Sequence, residues 1–526
     1  MMTVKEWLNA FQGNLMNVAF RMHQIYGTNN SIVETRQNLY IKALRTFATH
    51  YDENQKALIV RSPGRINLLG THVDHRGGYV NYMAIDREMV LVASPRADDR
   101  VVLHNADDNF TPKTFCISEK LPANRMGNWL NYIEQNHITP GDWENYISAG
   151  TLYVQNHFPQ TRLKGMNLAV AGDVPLAAGL SSSSTLVVAA LEAALQLNGL
   201  EILHEEKAVR CGEAEWYVGT RGGAGDHAAM LYSQRQAVAR LRFFPMMTER
   251  VPFPEGYRVV ACNSFIKHTS RSIFNGRIAA YEIGMMLLKK RFPEFAERLE
   301  HLRDVNPHHL DVSPAQIYQM VKALPERMSR AAVKAQLPNQ REKLEHLFLM
   351  HDEPEEGYRV RGVCLFGIAE CARSERCKDL LVRGDMEQFG KLKYLSHDGD
   401  RVVTHQPDGT STPWPERLSD EALDRLIADL ESGDAARVQA AQIPYQPGGY
   451  RCSCKELDLL VDLAKRVDGV VGAGLSGGGL GGCVLVVVKE EAVDDLIETV
   501  KRGYYDPKGL PLGTVVCSSV EGAGAF

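Results

Sequence analysis

No run of this chain is apolar for long enough to cross a bilayer, and its first residues hold no uninterrupted apolar segment of the secretory kind. Zinc-module spacing is missing as well. The ten cysteines are scattered, and the one close pair, Cys452-Ser453-Cys454, has no second pair to complete a site. Cysteines so spread over 526 residues do not form a disulfide framework either, so a reduced, cytoplasmic protein is expected. Positive charge is not in excess. With 59 Lys+Arg against 64 Asp+Glu the formal charge is −5, which gives no reason to expect nucleic acid or an acidic membrane as partner. Internal repeats, low-complexity tracts and a Gly-x-x-x-x-Gly-Lys-[Ser/Thr] phosphate loop are all lacking, and the last argues against a P-loop enzyme.

What is present is the composition of a globular protein, 44% hydrophobic and 23% charged. The chain is too long for one ordinary core, so two domains with insertions are expected. A strand at Ala237–Phe243 followed by a turn from Pro252 to Gly256 marks the boundary, giving domains 1–250 and 251–526. Residues 1–37, with Trp7, Phe11, Leu15 and Val18 at helical spacing, read as a packed N-terminal helical extension. A second helical pattern from Leu39 to Tyr51 leads into the strand Ala57–Arg61. Residues 398–446, with Pro407, Pro413 and Pro415, look like an insertion. Within it Ser419-Asp420-Glu421 starts a short helix that docks through Leu423, Leu426, Ile427 and Leu430.

Three polar stretches do not read as core. In the first, Ser62 to Tyr79, turn formers surround Arg65, His72, Asp74 and His75, and Arg65 and Asp74 suit contacts to a hydroxylated or phosphorylated small molecule. The second runs from Gly172 to Ser184, between the strand Met166–Ala171 and an apolar helix that stops at Gly199. Its serines lie at the positive end of the helix dipole, where phosphate binds, although they could equally cap the helix and bind nothing. The third, Gly472 to Gly482, has glycine at 472, 474, 477, 478, 479, 481 and 482 and runs into the strand Cys483–Val488. So many glycines cost chain entropy on ordering, and a linker would not be framed by a helix and a buried strand. Between the second and third, Glu213 and Glu215 end a helical pattern just before Gly222-Gly223-Ala224-Gly225-Asp226-His227. There Asp226 either caps the next helix or meets a ligand.

Taken in order, these stretches resemble the GHMP family of small-molecule kinases, and within it the galactokinase branch. Gly64 to His75 is similar to the galactokinase signature, Pro175 to Ser184 to the family's serine-rich motif, and Ser476 to Cys483 to its third, glycine-rich motif. The resemblance implies an α+β, two-domain GHMP kinase fold with the active site in the interdomain cleft, ATP and Mg²⁺ as the nucleotide and metal, and a sugar as the other substrate. It assigns catalysis to Asp226, as base or charge partner for the sugar hydroxyl, and to Arg65, beside the transferring phosphoryl group. It assigns Mg²⁺ to Ser183 and Glu215, and nucleotide contacts to Gly179, Leu180, Ser181, Ser182, Ser183, Ser184, Gly477, Gly478 and Gly479. Sugar contacts fall at Thr71, His72, Asp74, Gly225 and Phe274.

This chain departs from the galactokinase pattern around the sugar. Thr71 stands where galactokinases have a Glu that holds the C6 hydroxyl, His75 and Phe274 stand for tyrosines, His227 for Gln and Ser184 for Ala. The implied reaction is transfer of the γ-phosphate of ATP to the anomeric hydroxyl of galactose or a close relative, with galacturonate and L-arabinose as alternatives. Arg76, Arg221, Lys267 and Arg271 are near enough to the motifs in sequence to pair with a uronate. A catalytically silent sugar sensor on the same fold is the other class, and the presence of Arg65, Ser183, Glu215 and Asp226 favours the enzyme.

Overall fold

The strand Lys56–Leu69 is buried along all but its first residue, which requires cover on both of its faces. Alternation supplies it. Ile59 packs with Val90, Val92 and Ala169 under the N-terminal helices, while Leu58, Val60 and Leu91 point the other way, towards the helix Ser182–Asn198. The computed structural model describes residues 1–526 apart from 124–127, 137, 140, 177, 220, 221, 268–270, 350 and the side chain of residue 271.

Among the described residues, nine strands form one sheet and four form another. The first is ordered Met2–Thr3, Lys56–Leu69, Val80–Pro95, Met166–Gly172, Arg100–Asn105, Lys113–Cys116; Ala237–Arg242 and Met247–Pro252 extend it from Val80–Pro95. Its pairs are antiparallel except Arg100–Asn105 with Met166–Gly172. The chain end returns to it, because Gly524–Ala525 pairs with Arg61 and Val60. The second sheet, ordered Val470–Leu475, Cys483–Lys489, Tyr257–Asn263, Thr514–Cys517, is antiparallel throughout. Its apolar face packs on the helix Lys455–Ala464. The long helix Val360–Arg383 and the helix Met386–Asp400 lie between this sheet and the first. The fold is α+β. Among the described residues no helix is long and apolar enough to cross a membrane.

Several expected elements change their limits. Trp7 and Phe11 share a helix, Val4–Gln12, but Gly13 and Asn14 break it, and Asn14 has φ +47°. Leu15 is therefore 50% exposed at the start of the next helix, Met16–Tyr26, and is not part of a packed stripe. The helix expected from Leu39 begins at Asn30, capped by the Asn29 side chain on the N–H groups of Ser31 and Ile32. The stretch from Ser62 on is strand, not loop, as far as Leu69. Pairing survives Pro63 because the register shifts between Pro63 and Arg65, a bulge that accommodates the missing donor. Helix Asp420–Glu431 is capped by Ser419 and buries Leu423, with Leu426, Ile427 and Leu430 against the same core.

Candidate active site

Arg65 projects from the bulged strand into a cavity of about 1100 Å³ lined by the first sheet and by a loop, Gly477 and Gly478, that joins two strands of the second. It is almost fully buried, and its guanidinium grips Asp226 with two parallel bonds, Nε to Oδ1 at 2.7 Å and Nη2 to Oδ2 at 2.5 Å. Nη1 donates to the Gly179 carbonyl at 2.6 Å. Asp226 is in the first turn of helix Gly225–Tyr232, yet its carboxylate caps nothing there. It instead accepts from Ser181 Oγ at 2.6 Å and from the Tyr82 hydroxyl at 3.3 Å. Burial alone would push this carboxyl up, but the Arg65 guanidinium and the Ser181 hydroxyl reverse that and hold it below the usual carboxylate range.

The serine loop does not spend its hydroxyls on capping. Ser181, the N-cap of helix Ser182–Asn198, has φ +60°, and no side chain caps the first turn. Ser181, Ser182, Ser183 and Ser184 line the cavity together with Gly179, at the positive end of that helix. Leu180 is placed differently: it is buried in the core, and its carbonyl accepts the Arg65 N–H. The glycine-rich loop closes over this one. Gly179 has φ +71°, and a Cβ there would stand 2.7 Å from the Ser476 carbonyl oxygen, while Ser476 Oγ donates to the Gly179 carbonyl at 2.9 Å. Gly477 and Gly478 line the cavity. Gly479 turns away, and a Cβ there would meet the Cys452 carbonyl oxygen at 2.0 Å.

Glu215 ends helix His204–Glu215 at the cavity edge. Ser184 Oγ donates to its Oε2 at 2.6 Å, and His227 Nε2 lies 2.8 Å from the same oxygen. Burial raises this carboxyl, and His227 and Ser184 more than offset it, so it stays ionised below its usual range. Both contacts fall on Oε2, and Ser183 lines the same cavity as Glu215. One carboxylate and one hydroxyl-bearing side chain lining the same cavity fit Mg²⁺, which takes one or two protein ligands and completes its shell from phosphate and water. The serine on Glu215 is Ser184, the position where this chain departs from the family's Ala.

The segment after Leu69 forms the floor of one end, and residues far along the chain hold it. Glu370 Oε1 accepts the N–H groups of Gly70 (2.8 Å) and Thr71 (3.1 Å), Arg303 donates to the Gly77 carbonyl, and Arg76 pairs with Glu282. Thr71, His72, Asp74, His75 and Phe274 line the cavity here. His72 has φ +63°, which for a residue with a side chain stores about 1–3 kcal/mol of strain. Its ring stacks on Tyr450 at 4.1 Å and 11°, Phe366 and Phe274 flank it at 6.0 and 6.1 Å, and its Nε2 lies 3.4 Å from Asp400 Oδ2. Asp74 bonds His75 Nδ1 at 2.9 Å; burial raises its carboxyl, but His75 holds it at about 2. Gly225 does not line the cavity, and its N–H points at Asp74 Oδ2 over 3.4 Å.

The opposite end is aromatic and apolar, with Phe110, Trp143, Tyr146, Val170, Val174 and Leu186. Of the cations proposed for a uronate, Arg76 is engaged with Glu282 and Lys267 is exposed, whereas Arg221 and the side chain of Arg271 lie outside the described residues. Tyr82, Asp400, Tyr450 and Glu370 carry no motif. Tyr82 could have been found from its place on the strand next to the signature, but the other three are brought in only by tertiary folding.

Three family models match the chain in sequence order. The galactokinase galactose-binding signature covers residues 45–95, the GHMP kinase N-terminal domain 145–234 and the GHMP kinase C-terminal domain 421–506. A galactokinase of Dictyostelium discoideum is 24% identical over 514 residues, covering 95% of this chain and 93% of its own. A galactokinase of Roseiflexus sp. is 27% identical over 480 residues, 91% of this chain and 95% of its own. Among solved structures, Lactococcus lactis galactokinase in complex with galactose superposes with a TM-score of 0.63 at 20% identity, covering 92% of this chain and 98% of that one.

Proposed function

Because the chain belongs to the GHMP kinase family, as a galactokinase-like sugar kinase, we propose that it transfers the γ-phosphate of ATP to the anomeric hydroxyl of galactose. The observation that carries this reading is the Arg65–Asp226 pair at the meeting point of the serine loop, the glycine loop and the hydroxyl- and imidazole-lined floor. On this reading residues 1–250 and 251–526 are the two domains, and the cavity is the cleft between them.

The roles follow from charge and position. The aromatic end takes the adenine, and the serine and glycine loops take the phosphates with backbone N–H groups and hydroxyls. Thr71, His72 and Asp74 orient the sugar so that its anomeric oxygen faces Asp226. That oxygen attacks the γ-phosphorus, the bond from phosphorus to the β–γ bridging oxygen breaks, and ADP leaves. Asp226 is a weak base, since Arg65 holds its charge so firmly. Its main work is to orient the attacking hydroxyl and take up the proton as the new bond forms, which suffices for a loose phosphoryl-transfer transition state. Arg65 places positive charge beside the transferring group. Ser183 and Glu215 would hold Mg²⁺, which supplies neutralisation of the phosphate charge.

L-arabinose is a second reading, favoured by Phe274 beside His72 in the cavity lining and by Thr71 in place of a carboxylate, since it lacks the C6 hydroxymethyl group. Sugar-dependent release of ADP, measured with galactose, L-arabinose and galacturonate, tests the proposal. The expected order puts galactose first, and ADP release that no sugar stimulates would point to the silent sensor instead.

A further inference from the structure

His72 Nε2 is buried, makes no hydrogen bond to the described residues, and lies 3.4 Å from Asp400 Oδ2. Asp400 is 1% exposed, and its other oxygen accepts the Cys452 N–H at 3.1 Å. A carboxylate buried that deeply calls for donors on both oxygens, and the imidazole 3.4 Å from Oδ2 is placed to be one of them. A proton on Nε2 would face Asp400 and leave Nδ1 as the ring atom for a ligand. Asp400 and Tyr450, the ring under His72, form one unit: the N–H groups of Tyr450 and Arg451 donate to the Gly399 carbonyl, and that of Ser453 to the Asp400 carbonyl.

Charge decides what this corner accepts. Arg65 is the one Lys or Arg among the described residues lining the cavity, and all three of its donor nitrogens are engaged by Asp226 and Gly179. Asp74 and Asp226 line the same end. Taken together, His72 and Asp400 carry no net positive charge whether the ring holds one proton or two. A second-substrate carboxylate would meet like charges at close range, without a free cation among the described residues to offset them.

Resting on the sugar-kinase reading, we propose that Asp400 is a specificity-determining residue that acts through His72. It fixes the ring with Nδ1 towards the sugar and, with Asp74, turns away acidic sugars, so the acceptor class is a neutral sugar.

The test measures kcat and KM for galactose, galacturonate and ATP with the native protein and with Asp400→Asn. Asparagine keeps the shape, removes the charge and, with its oxygen on Cys452, aims its amide N–H at Nε2, which forces the ring proton to Nδ1. The native preference for galactose over galacturonate should be at least ~100-fold. In the variant that preference should fall at least ~10-fold and the galactose KM rise ~10-fold, with kcat within ~3-fold and the KM for ATP unchanged. An unaltered galactose KM and preference would overturn the proposal, and so would a loss of kcat on both sugars together with a shifted ATP KM. A readout independent of activity and of the variant's folding is ¹⁵N NMR of the native histidines, with His72 assigned through His72→Gln. A proton on Nε2 is expected, and a bare Nε2 with the proton on Nδ1 would overturn the assignment. A native protein that phosphorylates neither sugar would count against the kinase reading, while the NMR result would still decide the role of Asp400.

Discussion

Arg65 and Asp226, 161 positions apart in the chain, share two hydrogen bonds and the same wall of the cavity. The pair is bidentate, and its geometry depends on both the strand bulge at Pro63 and the helix that starts at Gly225. Asp226→Asn keeps the shape but removes the charge that Arg65, Ser181 and an incoming hydroxyl all address. Positioned proton transfer contributes about 10²–10⁴-fold, so kcat should fall by that range while nucleotide still raises the melting temperature. Steady-state kinetics with a thermal-shift titration of ATP check both halves, and near-normal turnover would remove Asp226 from the chemistry.

Glu215→Gln should raise the Mg²⁺ concentration needed for half-maximal activity far more than it changes the sugar KM. Ser184→Ala, which frees Oε2 of one bond at 2.6 Å, should act in the same direction but weakly, since one such bond is worth about 0.5–1.5 kcal/mol. Activity titrated against Mg²⁺ at saturating ATP reads both, and an unchanged requirement in Glu215→Gln would remove that carboxylate from the metal site.

The serine and glycine loops were legible in the sequence because their signals are local, a polar or glycine-rich stretch framed by apolar elements, although the serine loop read equally well as a helix cap until it stood in order with the other two motifs. The α+β class came from the family resemblance that these stretches carry together. The continuation of the first strand through Ser62-Pro63-Gly64 was not, since proline and glycine read as a turn and only the bulged register on Val80–Pro95 absorbs them. Leu15 kept helical spacing across Gly13, where the chain in fact breaks. Asp400, Tyr450 and Glu370 reach the site through contacts that no spacing rule encodes. The choice of Ser184 over Ser183 as the partner of Glu215 depends on how helix Ser182–Asn198 is rotated against helix His204–Glu215, which neighbouring serines cannot reveal.

Thr71→Glu separates the two neutral sugars. A carboxylate at this position would accept a hydrogen bond from the C6 hydroxyl of galactose, a group that L-arabinose lacks. The preference for galactose over L-arabinose should therefore rise by ~10-fold, the value of one buried bond to a charged group. Equal effects on both sugars would mean that position 71 does not face C6.

Acid stability should carry the mark of Asp74. Its carboxyl lies at about 2 in the folded protein against 3.8 for a free aspartate, so the folded state binds fewer protons than the unfolded chain between those values. The stabilisation is whole above pH 3.8 and is lost as the pH falls towards about 2. In Asp74→Asn the melting temperature should fall less steeply over that window than in the native protein. Calorimetric scans at closely spaced pH values test this, and parallel slopes would contradict it.

Gly479→Ala should destabilise the glycine-rich loop, because φ is +77° and the new methyl group would sit 2.0 Å from the Cys452 carbonyl oxygen. A lower melting temperature and a raised KM for ATP are expected together. A change in the sugar KM alone would mean that the loop serves the other substrate.

The account as a whole rests on phosphoryl transfer to the anomeric oxygen of a neutral sugar. Its most direct test is incubation with γ-labelled ATP, Mg²⁺ and galactose, followed by identification of the labelled product. The account predicts label on the anomeric oxygen of galactose, one ADP for each sugar phosphate formed, and no transfer when galactose is omitted. ADP formed at the same rate without sugar, or label that never leaves ATP while galactose still binds, would contradict it.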